Sequence, residues 1–198
     1  MRALVHVRDE ELADRRAKGL DRWDETWEGV LHMTPAPSYE HQRIVTSLIE
    51  FLGPLCRGAR RGTLVAGVNV FRRRGDGSDY RIPDLTFVAA GREHVLGPEG
   101  IEGGGPDAVI EIRSPDDETY EKLPFYAAIG VREVIVCDRD SKQPRIFTLA
   151  GSEFAELQAD DEGRVTSDVL EIRLQVMPGT PPRLRIEDRS TPASAFEI

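Results

Sequence analysis

Cysteine is scarce in this chain, with only Cys56 and Cys137 among 198 residues, and their separation matches neither a metal knuckle nor a disulfide framework. That scarcity predicts a reducing, intracellular setting in which both thiols serve as small core residues. Long apolar runs are missing too: none approaches the roughly 20 residues that a membrane span requires. The N-terminus carries acidic residues where a signal peptide would have its hydrophobic core. The expected location is therefore the cytoplasm, with no membrane partner. Basic charge is also in short supply, 26 Lys and Arg against 35 Asp and Glu for a net charge of -9. This argues against a wide nonspecific grip on nucleic acid, because such affinity comes from neutralised phosphates. A local cluster, Arg57, Arg60, Arg61, Arg72, Arg73 and Arg74, flanks one predicted strand and reads either as a basic patch or as a solvated surface.

The chain is long enough for one domain with a sizeable core, and residues 1–198 are read as a single domain. Its 18 glycines and 13 prolines fall between periodic segments, which predicts many turns and a mixed α/β layout. Weak helical character over Glu11–Lys18 is stopped by Gly19. A short strand is expected over Trp27–Met33, and Ser38 caps a helix whose apolar positions Ile44, Val45, Leu48, Ile49 and Leu52 recur at helical spacing. That helix is expected to end near Gly53-Pro54. A strand over Thr63–Phe71 then leads through a turn, Arg72 to Ser78, into an antiparallel strand over Tyr80–Val88.

After a glycine-rich loop, Ala108–Ser114 reads as a buried strand and Thr119–Ile129 as a helix with Pro124 in its first turn. Val131–Asp138 follows as a strand parallel to the first, by a crossover connection. The remainder alternates short strands and turns, and Arg183–Ile186 is a strand-like piece expected at an edge or against a partner chain.

The chemistry lies in two of these strands. Side chains alternate along an extended strand, so Ile82, Asp84, Thr86 and Val88 share one face, as do Val109, Glu111 and Arg113. Charges inside apolar runs are costly unless paired or metal-bound. A shared polar pocket for a hard divalent metal is one explanation; an ion pair of Arg113 with Asp84 or Glu111 is the other. A metal-dependent phosphodiesterase needs carboxylate oxygens for Mg²⁺, supplied by Asp84, Glu111 and the carbonyl of Ile112. It also needs a group to orient or deprotonate water and offset phosphoryl charge. Lys122 and Arg113 are candidates, and only Lys122 can serve as a base because arginine stays charged. Lys122 reads equally as a helix residue paired with Glu118 or Glu121. His32 and His94 have no companions at metal-ligand spacing and receive no role.

The order Glu28-Gly-Val-Leu-His-Met33, Pro35, His41, Ile82-Pro-Asp-Leu85, Val109-Ile-Glu-Ile-Arg-Ser-Pro115, Lys122-Leu-Pro-Phe-Tyr126 and Gly130–Asp138 resembles the Uma family of restriction endonucleases, a branch of the PD-(D/E)XK nuclease superfamily. The likeness spans roughly residues 20 to 175, leaving 176–198 as a C-terminal extension, and extra C-terminal β-hairpins are expected from Pro144 onward to extend the sheet or cover one side. It implies a restriction-endonuclease-like core, a mixed sheet flanked by helices, with Asp84 and Glu111 as Mg²⁺ or Mn²⁺ ligands and DNA as substrate. It implies further that Lys122 takes the part of the superfamily lysine, that Glu28 and His41 join the site, and that Tyr126 lines it. Arg113 departs from the family, which usually has an apolar residue there; its guanidinium either clamps phosphate or competes with the metal. A noncatalytic module that binds protein or nucleic acid is the alternative, and a homodimer is expected because cutting both strands of a duplex calls for paired sites.

Overall fold

The computed structural model describes residues 8–75, 77–191 and 195–198; Asp76, in the turn before the Asp84 strand, lies outside them, as do residues 1–7. The first element is α1 (Asp9–Ala17), whose Arg15 grips Asp24 with two nitrogens at 2.7 and 2.5 Å. Then come β1 (Glu25–Trp27) and β2 (Val30–His32), an antiparallel hairpin in which Trp27 faces Val30 and Glu25 faces His32. The continuous strand expected over Trp27–Met33 is thus two strands. Its turn, Glu28-Gly29, has φ of 50° and 86°, the paired positive values of a type I′ connection whose twist suits a tight hairpin.

Helix α2 spans Tyr39–Gly58, with Ser38 Oγ accepting from the His41 N–H at 3.3 Å. It runs one turn past the stop expected at Gly53-Pro54. Burial of Cys56, two residues beyond the proline, ties that last turn to the core. The next expected pair of long strands is also subdivided, into β3 (Gly62–Ala66), β4 (Val70–Phe71), β5 (Tyr80–Arg81) and β6 (Leu85–Ala89). Gly62 faces Ala89 and Val70 faces Arg81, so the predicted antiparallel pairing holds in one register. The ribbon nevertheless parts between two sheets where Gly67 takes φ 56° on one arm and Pro83 interrupts the other.

Strand β7 (Ala108–Arg113), a 3-10 turn at Tyr120–Lys122, α3 (Leu123–Ala128) and β8 (Glu133–Asp138) form the predicted crossover, with β7 and β8 parallel. Strands β9 (Pro144–Ala150) and β10 (Glu153–Glu156) extend the sheet. The order β10-β9-β8-β7-β6-β3 makes a six-stranded mixed sheet beside the four-stranded β2-β1-β5-β4. Strands β11 (Arg164–Ser167), β12 (Ile172–Met177), β13 (Arg183–Asp188) and β14 (Ala195–Glu197) form a third, antiparallel sheet. Arg183–Ile186, expected at an edge, lies in β13, paired on both sides by β12 and β14.

Two cores clasp the six-stranded sheet. On one face Leu85, Phe87, Ile110, Ile112 and Ile135 pack with α2 and with Ile172, Leu184 and Ile186 of the third sheet. On the other, Val88, Val109, Val134 and Val136 pack with Phe125, Tyr126 and Val131. The predicted alternation along both central strands is therefore real. Among the described residues no helix is long and apolar enough to cross a membrane. The arginine cluster is partly neutralised: Arg61 pairs with Asp188, Arg72 with Asp79 and Arg74 with Glu102.

Candidate active site

Asp84 stands just ahead of β6, and Glu111 lies one step past the Leu85 to Ile110 pairing, which brings the two acids opposite one another across neighbouring strands. Pro83 supports this placement, because a residue without an N–H ends the ladder and lets the chain turn at the strand's mouth. Asp84 is fixed at both oxygens: Oδ1 is 2.8 Å from His41 Nε2, and Oδ2 accepts from the Ile112 N–H at 2.7 Å. Ile112 thus meets Asp84 through its amide, while its side chain is buried in the core. His41 is aimed by the first turn of α2, and its Nδ1 lies 3.4 Å from Ser114 Oγ. Burial alone would lower the His41 imidazole, but the bond to Asp84 and the charges of Asp84, Glu111 and Asp117 outweigh it and raise its pKa above the ordinary value.

Glu111 is buried, and its Oε1 accepts from the Tyr126 hydroxyl at 2.6 Å and lies 3.3 Å from Lys122 Nζ. Burial pushes its carboxyl up to about 7; the Lys122 ammonium opposes that rise, and Asp84 and Glu25 reinforce it. Tyr126, fully buried beneath the site, is held well above its usual range by burial and by Glu111.

Lys122 arrives on the 3-10 turn that opens α3 and donates to Glu25 Oε1 at 2.8 Å. Burial works against its charge, yet Glu111 and Glu25 more than compensate, so its pKa is raised above the ordinary lysine value. Lys122 accordingly stands as an ammonium between the Glu25 and Glu111 carboxylates.

Glu25 is the site residue that sequence reasoning missed. It is buried, accepts the Trp27 indole N–H at 2.7 Å and the Ile82 N–H at 2.8 Å, and so ties β1 to the approach of Asp84. With the strand taken to begin at Trp27, Glu25 fell outside it; the alternation of Glu25 with Trp27 was the available signal. Glu28 lies in the exposed hairpin turn and lines the same cavity as Lys122 from its rim. Arg113 does not enter the acidic pocket: its NH1 donates to Asp138 Oδ2 at 3.1 Å, and its guanidinium lies over the Tyr120 ring. The expected ion pair of Arg113 with Asp84 or Glu111 is absent because β8 offers Asp138 alongside it in register. His32, which has no sequence companion, gains one in space, with Nδ1 2.6 Å from Glu118 Oε2.

These groups meet at an open cavity of about 960 Å³ lined by Glu25, Trp27, His32, His41, Asp84, Glu111, Ile112, Glu118 and Lys122 among others. Among the described residues no set of three or more His, Cys, Asp or Glu has the geometry to hold a metal ion. The donor chemistry still fits Mg²⁺, which is commonly held by one or two carboxylates with waters completing an octahedron. Glu25 and Glu111 both contact the Lys122 ammonium, and Asp84 stands opposite Glu111 across the strands, so acidic oxygens converge on one point of the cavity.

A family model described as "Putative restriction endonuclease", Uma2, matches residues 10–178. The chain belongs to the Uma2 family. A Uma2 protein in this sense has a nuclease fold, and the site above sits where its central strands open. A solved structure agrees on the fold: one described as "a putative nuclease belonging to DUF820 from Anabaena variabilis ATCC 29413" superimposes with a TM-score of 0.59 at 18% identity, covering 74% of this chain and 82% of that one. No curated protein matches the chain significantly.

Proposed function

We propose that this Uma2 protein is a Mg²⁺- or Mn²⁺-dependent endonuclease that hydrolyses phosphodiester bonds in DNA. The observation that carries the reading is the facing pair Asp84 and Glu111, with a charged Lys122 lodged between Glu111 and Glu25. Asp84 and Glu111, with the Ile112 carbonyl, would hold the divalent ion, which when bound supplies Lewis acidity toward the phosphate and its attacking water. Tyr126 fixes one oxygen of Glu111, and His41 fixes one of Asp84, so neither carboxylate is free to turn away. Lys122 presents a fixed positive charge to the phosphoryl oxygens as negative charge develops on them, and Glu25 holds it there. Cleavage of the P–O3′ bond would leave a 5′ phosphate and a 3′ hydroxyl. Two copies are needed to cut both strands, so a homodimer belongs to the reading, as does a cytoplasmic location where DNA is reached and both thiols stay reduced.

The alternative, a nuclease-fold module that binds without cutting, draws on the lack of a preformed three-ligand cluster among the described residues and on Lys122 already partnering Glu111. Plasmid cleavage in Mg²⁺ separates the two. The wild type should nick or linearise DNA, while Asp84→Asn and Glu111→Gln should each lose at least about 100-fold in rate, the scale of a removed electrostatic contact. Wild-type protein that leaves DNA intact in both Mg²⁺ and Mn²⁺ would favour the binding module.

A further inference from the structure

Hydrolysis needs an acceptor for the proton of the attacking water, and most titratable groups of the cavity are already committed. Lys122 is charged, and Arg113 stays so and is bound to Asp138. Both ring nitrogens of His41 are engaged, by Asp84 and by Ser114. The Tyr126 proton points at Glu111, whose Oε1 also meets Lys122. Of the two imidazoles that line the cavity, His32 remains. His32 projects from β2 directly opposite Glu25, whose carboxylate touches Lys122. Directly opposed strand residues have Cβ atoms about 4.5 to 5.5 Å apart, so His32 stands next to the charged cluster.

Its ring is held on two sides. It stacks on Trp27 with centroids 4.0 Å apart and planes 15° from parallel, and Nδ1 lies 2.6 Å from Glu118 Oε2. A carboxylate accepts and does not donate, so Nδ1 is the donor to Glu118, and in the neutral form of the ring the lone pair lies on Nε2. Among the described residues Nε2 has no hydrogen-bond partner, and both His32 and Glu118 line the cavity. An imidazole oriented by a carboxylate through one nitrogen, with the other bare, is the arrangement of a general base.

We propose that His32, oriented by Glu118, accepts the proton of the attacking water, an inference that rests on the phosphodiesterase reading. Nε2 takes one proton as the water oxygen bonds to phosphorus. The P–O3′ bond breaks with its electron pair on O3′, which takes a proton from solvent. Glu118 stabilises the imidazolium, which then returns its proton to bulk water.

The test is steady-state cleavage of DNA in Mg²⁺ by the full chain and by His32→Ala, His32→Phe and Glu118→Gln, each with and without added imidazole. His32→Ala should lower kcat by about 100-fold or more, with KM little changed. Imidazole should restore much of the lost rate in His32→Ala and none in His32→Phe, whose ring fills the space. Glu118→Gln should show a smaller loss. Wild-type turnover in His32→Ala, or a loss that imidazole does not relieve, overturns the assignment. If His32→Ala does not fold, His32→Phe, which keeps the stack on Trp27, decides: turnover within a few-fold of wild type overturns it. Should the wild type itself fail to cleave, the phosphodiesterase reading falls and this assignment with it, an outcome distinct from failure of the variants alone.

Discussion

Lys122 and Arg113 are both cations near Glu111, yet the structure assigns them different work. Lys122 is buried against two carboxylates, whereas Arg113 pairs with Asp138 and is partly exposed. Lys122→Met should therefore cost about 100-fold or more in cleavage rate, and it should also destabilise the fold by leaving Glu25 and Glu111 buried without their cation. Arg113→Ala should cost less than about 10-fold, well under one removed transition-state contact. Equal losses from the two variants would contradict this division.

Glu111 adds a pH dependence. Its folded carboxyl is raised from 4.5 to about 7, so the folded state holds that proton more tightly than the unfolded chain does. The resulting stability is fully present below about 4.5 and is lost as pH rises through about 7. Urea unfolding from pH 5 to pH 8 should show the wild type losing stability relative to Glu111→Gln, and parallel curves would contradict the assignment. Mg²⁺ competes for the same oxygens, so its affinity should rise with pH over that window.

At the scale of elements, the positions that matter most to the site are where strands break. Periodicity located the faces of β6 and β7 correctly because Leu85, Phe87, Ile110 and Ile112 alternate cleanly with the opposite face. It could not show that Glu28-Gly29 would turn the chain, because glutamate seldom takes a positive φ and no flanking alternation marks so short a hairpin. That hairpin sets Glu25 beside Lys122, so missing the turn meant missing the acid. Gly29 has φ 86° and nothing within 4 Å of where a Cβ would stand. Gly29→Ala should therefore destabilise by about 1 to 2 kcal/mol through backbone conformation alone. Equilibrium urea denaturation reads this, and an unchanged midpoint would place the turn outside the cooperative unit.

For the molecule as a whole, the mixed sheet between α2 and α3, the parallel β7 and β8 pair and the antiparallel C-terminal strands were legible because each follows from local apolar pattern and turn residues. The partition into three sheets was not, since it depends on Gly67 and Pro83 deflecting two arms of one ribbon. The site itself was half legible: Asp84, Glu111, Lys122, His41 and Tyr126 converge, while Glu25 and the His32 to Glu118 pair are products of tertiary placement. What the assembled fold offers is one acidic mouth at the ends of its central strands, and the account stands on that mouth taking a divalent ion. Anomalous scattering from crystals soaked in Mn²⁺ tests this directly. The account predicts a single strong peak within ligand distance of both Asp84 and Glu111, lost in Asp84→Asn; a peak elsewhere, or none beside these two carboxylates, would contradict it.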